Sequence, residues 1–179
     1  MVRQHSITFS RVVKTTFVLF TAALLQSVVS QHIRVFNVVP DILLASAALF
    51  GLTVGERGGV LLGFLCGCVA DILFRNTPFA MSAVTFAFVA YMCGVFRGTI
   101  VHGIPGLSMA VTAIASMIGV FAFAVIAAIF GYGQFLDIRL PVIVVVVGLL
   151  NGLFAIILAP FIRWAVAESE STQLRLVRE

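Results

Sequence analysis

The chain has 179 residues, of which 61% are hydrophobic and 10% charged, with a formal net charge of +4 and a mean hydropathy of +1.18. Soluble domains carry about 25% charged residues, so an ordinary soluble fold is excluded. The apolar runs are continuous rather than alternating, which excludes a β-barrel. The scattered basic residues form no stripe interleaved with aromatics, which argues against nucleic acid as a partner.

Six apolar segments follow in chain order, at approximately 15–33, 40–55, 58–74, 79–96, 106–131 and 140–162. They predict an all-α membrane protein, a compact bundle of six transmembrane helices. Residues 1–14 form a cytoplasmic N-terminal segment, 15–162 the single membrane domain and 163–179 a cytoplasmic tail. The first segment follows Arg3, Arg11 and Lys14 as a signal peptide would, but its apolar part is long and Ser27-Val28-Val29-Ser30 is a weak cleavage site. It reads as an uncleaved helix.

The second and third segments are short, reaching about 24–26 Å at 1.5 Å per residue, against a hydrocarbon core of roughly 30 Å. Local thinning of the bilayer or a re-entrant hairpin would accommodate them. Two spanning helices fit best, because the link Gly55-Glu56-Arg57-Gly58 is a tight charged turn that prefers water. Pro105-Gly106 punctuates the loop before the fifth segment. Pro141 opens the sixth and Pro160 lies near its end.

Basic residues set the orientation. With the N-terminus inside, Arg3, Arg11, Lys14, Arg57, Arg97, Arg163, Arg175 and Arg178 are cytoplasmic, and only Arg34, Arg75 and Arg139 are outside. An even helix count puts both termini inside. The inner excess of positive charge suits anionic membrane lipid.

A ladder of Gly55, Gly59, Gly63 and Gly67 runs into the third segment, with Asp71 in the next place. Glycine is a poor helix former in water, but in a bilayer small residues at this spacing let helices approach closely. The ladder is a packing surface, either within the monomer or toward a partner. Ala83, Ala87, Ala90, Gly94 and Gly98 in the fourth segment form its natural mate.

Asp71 ends the third helix on the outer side, at the unfavourable end of the dipole for an acid. Two roles are open to it: a clasp with Arg75, four residues on in the favoured order, or a contact with a partner or polar substrate. Pro78 stops helical structure beyond it. Pro40-Asp41 opens the second helix on the same side, where Asp is an ordinary cap. With Arg34 and Arg75 in reach, the two acids suggest a small outer polar cluster. Asn151, in the middle of the sixth segment, is expected to hydrogen-bond between helices, with Gln26 as a possible mate.

No catalytic, cofactor or metal motif is present. The chain lacks H-E-x-x-H, G-x-S-x-G and a phosphate-binding glycine loop. His5, His32 and His102 make no ligand spacing, and Cys66, Cys68 and Cys93 lie in apolar segments as small hydrophobes.

Residues 40–92 carry a more specific pattern. Pro40-Asp41 opens an aliphatic helix, and a short charged turn follows. Gly63-Phe64-x-x-Gly67-x-x-x-Asp71, Pro78 and Tyr91 then come in order. This stretch resembles the MreD family of bacterial rod-shape-determining membrane proteins. Phe79-Ala80 departs from it, standing where such proteins often have an apolar residue and then Gly. The resemblance implies a non-catalytic inner-membrane subunit of the elongation machinery for lateral peptidoglycan synthesis. It would bind a MreC-like periplasmic scaffold, and through it MreB-like filaments, a RodA-type glycosyltransferase and its transpeptidase. The rival reading is a substrate-binding subunit of an energy-coupling-factor vitamin transporter, which would hold its ligand with outer residues such as Asp41, Asp71 and Arg75. Long outer loops, expected of such a subunit, are missing, and Trp164 is the only tryptophan.

Overall fold

The computed structural model describes residues 2–73, 80–98 and 105–166. Among them lie six helices: α1 (Val2–His32), α2 (Ile42–Val54), α3 (Glu56–Leu73), α4 (Met81–Val95), α5 (Pro105–Ile129) and α6 (Leu140–Val166). The segments Val12–His32, Gly106–Ile129 and Leu140–Val166 are long and apolar enough to cross a membrane, and α2 and α4 are shorter apolar helices. The bundle wears its large apolar side chains on the outside, among them Phe17, Phe20, Phe121, Leu149 and Leu153. Such a surface suits lipid and not water, so the chain is a membrane protein.

The centre of the bundle is α2. Every residue from Ile42 to Leu52 is buried, and α2 touches each of the other five helices. A helix apolar all round belongs in a core. At thirteen residues it is only about 20 Å long, because it starts inside the bundle. The backbone N–H of Asp41, which precedes α2, donates to Asn151 Oδ1 at 2.9 Å. Asn151 lies eleven residues into α6, roughly 16 Å from its start.

The chain reaches that depth through a hairpin after α1. Val35 and Val38 exchange backbone hydrogen bonds of 2.9 and 2.8 Å. Phe36 and Asn37 between them both have positive φ, 51° and 64°, as a two-residue type I′ turn requires. Val38 and Pro40 are buried as the chain turns back into the bundle.

Several boundaries differ from the sequence reading. α1 begins at Val2, so the polar N-terminal segment forms its first turns. The expected four-residue turn between the second and third segments contracts to Gly55 alone. Its φ of +93° ends α2, and Glu56 already begins α3. α6 continues through Pro160 to Val166. α5 ends on Gly131 at φ +89°. There the N–H groups of Gly131 and Tyr132 return to Ala128 O and Ala127 O, a Schellman closure.

Candidate functional site

The glycine ladder lies inside the bundle. α3 and α4 run antiparallel, and their approach is set by backbone against backbone. A Cβ on Gly67 would stand 2.6 Å from Ala83 N, and one on Gly63 would stand 2.6 Å from Ala90 Cβ and 2.7 Å from Phe86 O. A Cβ on Gly59 would meet Gly51 Cα of α2 at 2.7 Å. Gly51 in turn lies against Ala90 O and the Cys93 side chain, and Gly94 lies against Glu56. Three helices therefore meet with only the Cβ atoms of Ala90 and Cys93 among the backbone contacts. In α4 the residues that receive the ladder are Ala83, Ala90 and Gly94; Ala87 is half-buried, and Gly98 falls in a 3-10 turn beyond the helix.

Asp71 sits at the top of this seam with 6% of its surface exposed. Its Oδ1 accepts from Ser82 N at 3.1 Å and its Oδ2 from Ala83 N at 3.3 Å. The acid at the end of α3 is thus the cap of α4. The residue in the cap position itself, Ala80, has a left-handed backbone at φ 75° and offers no side-chain acceptor. Unpaired N–H groups at a helix start need an acceptor, and Asp71 supplies one from the preceding helix. Its position at the negative end of the α3 dipole is offset by the positive end of the α4 dipole. Arg75 and Pro78 lie outside the described residues, and with them the expected clasp.

Asp41 and Asp71 are not a pair; each closes a different helix. Asp41 Oδ1 accepts from Leu44 N at 3.0 Å and caps α2, with its side chain half-buried. The expected outer cluster is corrected for Asp41 and Arg34 alone, Arg75 lying outside the described residues. Asp41 lies at the depth of Asn151, and Arg34 is exposed in the hairpin with no ion pair to either acid. Gln26 and Asn151 also do not bond to each other. They grip the same stretch of backbone at separate points. Gln26 Nε2 donates to Pro40 O at 3.2 Å and its Oε1 accepts from Ile42 N at 2.6 Å. Asn151 Oδ1 takes the Asp41 N–H, and its Nδ2 donates to Ser116 Oγ at 3.0 Å. α1, α5 and α6 are thereby tied to the start of α2.

Sequence reasoning did not find Ser116. Its signal was the pair Thr112 and Ser116, four apart in the apolar run of α5. Both are fully buried, and the Thr112 hydroxyl has no hydrogen-bond partner. At the opposite end of the bundle Arg97 Nη1 donates to Val54 O at 3.1 Å, closing the C-terminus of α2. Arg163 Nη2 donates to Ser108 Oγ at 3.0 Å, and Lys14 Nζ lies 5.4 Å from the centre of the Trp164 ring.

Chemically, this arrangement joins helices. Both oxygens of Asp71 and one of Asp41 are occupied by backbone N–H groups, and the amides of Gln26 and Asn151 by backbone and Ser116. Among the described residues no three of His, Cys, Asp and Glu gather where they could hold a metal ion. No protein-family model, curated protein or solved structure matches this chain.

Proposed function

We propose that the chain is a non-catalytic subunit of the bacterial cell-elongation machinery, resident in the inner membrane as six transmembrane helices with both termini in the cytoplasm. Its role is to bind a MreC-like periplasmic scaffold, and through it the filaments and synthases that build the lateral wall. The observation that carries this reading is the pattern over residues 40–92. Its residues divide into two sets. Gly63, Gly67, Asp71, Pro40 and Asp41 hold three helices and their turns together, whereas Phe64 and Tyr91 of the same pattern are exposed on the outside of the hairpin. A rigid hairpin presenting fixed aromatic side chains suits an assembly subunit.

Depletion of the protein from a rod-shaped host is expected to give rounded cells, with loss of the scaffold from affinity-purified complexes. Normal rods with impaired vitamin uptake would instead support the transporter reading and refute this one.

A further inference from the structure

A groove of about 300 Å³ runs between α4 and α5, lined by Val89, Cys93 and Phe96 on one side and Val111, Ala115 and Ile118 on the other. It exists because α4 directs its small residues at α3 and meets α5 through larger ones. The helices close only at its far end, where a Cβ on Gly119 would stand 2.9 Å from the Val89 side chain. Phe96 and Val111 line its other end, and Arg97 follows Phe96 in the chain.

That end of the bundle is electropositive. Its described side chains include Lys14, Arg57, Arg97 and Arg163 against Glu56 alone, whereas the other end has Arg34 and Arg139 against Asp71 and Asp137, with Asp41 deep in the bundle. The groove is apolar along its lining. No charged side chain lines it. A hydrocarbon chain fits its apolar lining, and an anionic head fits the positive charge at its Phe96 end.

We infer that the groove between α4 and α5 seats one acyl chain of an anionic phospholipid, with the headgroup at the Arg97 end. The test uses the full-length chain purified in detergent, with phosphatidylglycerol and phosphatidylcholine as probes, read by native mass spectrometry and thermal unfolding. One phosphatidylglycerol should be retained and should raise the unfolding temperature, with an apparent affinity about fivefold above phosphatidylcholine, the ratio that roughly 1 kcal/mol from one basic side chain produces. Ile118 is half exposed at the rim, so Ile118→Trp fills the groove without disturbing the core. It should abolish lipid retention with helix content unchanged, and Ala115→Phe should do the same from the floor. Equal retention of both lipids, or wild-type retention of phosphatidylglycerol by a folded Ile118→Trp protein, overturns the proposal. So does a co-purifying protein segment that crosslinks to Cys93 in place of lipid.

Discussion

The carboxylate of Asp71 closes the helix that begins ten residues after it, accepting the backbone N–H of Ser82 at 3.1 Å. This contact, with that to Ala83, fixes the top of the α3–α4 hairpin, and the glycine seam below it fixes the rest. The acid and the ladder are one device: a close antiparallel pair whose far end is held by a charge-assisted cap.

Asp71→Ala removes both acceptors and leaves two buried N–H groups at the start of α4. Loss of a cap costs about 0.5–2 kcal/mol, and an unsatisfied buried donor about 1–3 kcal/mol. A clear fall in thermal unfolding temperature is expected, with Asp71→Asn, which keeps one acceptor, falling between. If Asp71→Asn retains wild-type stability but loses scaffold binding, the cap is not the main role of the acid.

Gly67→Ala is expected to be as harmful as a large substitution, because even its Cβ would overlap Ala83 backbone. The neighbouring atoms are main chain on both sides and cannot rotate away, so the hairpin must open. Gly106, where an added Cβ meets nothing within 4 Å, is the control. Gly106→Ala should accumulate in membranes at the wild-type level and Gly67→Ala at a strongly reduced one. Equal accumulation would show that the seam tolerates separation.

Ala80→Gly should stabilise the protein. Ala80 holds φ 75°, a left-handed conformation that costs an L-residue roughly 1–2 kcal/mol relative to glycine. Part of that gain is lost to the greater freedom of glycine in the unfolded chain, by about 0.4–1 kcal/mol. A net rise in unfolding temperature is expected, and no rise would mean that the turn is relaxed as it stands. The substitution places at this position the residue that its backbone favours.

Much of this was legible in the residues. The glycine spacing and the small residues of α4 identified the two helices that meet, because close packing leaves a periodic record in a single helix. Asp41 as a cap was legible too, since a cap acts on its own helix. What stayed hidden depends on depth and on distant pairing. The Pro40-Asp41 turn sits well inside the bundle because α2 is short and central, and no local pattern encodes how far a chain dips before a helix begins. That Asp71 also caps the next helix was not legible, because Ala80 gives no sign that the cap position lacks a side-chain acceptor. Asn151 does bond between helices as expected, but Gln26 is not its mate, and the backbone that each grips is visible only once the start of α2 is placed between them.

The Asn151 amide offers the last prediction, because it holds two groups that no other residue serves. Its Oδ1 receives the Asp41 N–H and its Nδ2 reaches Ser116 Oγ. Asn151→Leu keeps the volume but leaves that N–H and that hydroxyl without it, for a cost of about 1–3 kcal/mol. Ser116→Ala alone leaves Asn151 Nδ2 without its acceptor but keeps the Asp41 N–H bonded, so it should cost less, about 1 kcal/mol. In the double variant the hydroxyl is already gone, so the two losses should fall short of adding. Thermal unfolding of the four proteins measures this directly. Strict additivity would mean that Asn151 and Ser116 act independently, and that the tie between α5 and the start of α2 runs through packing alone.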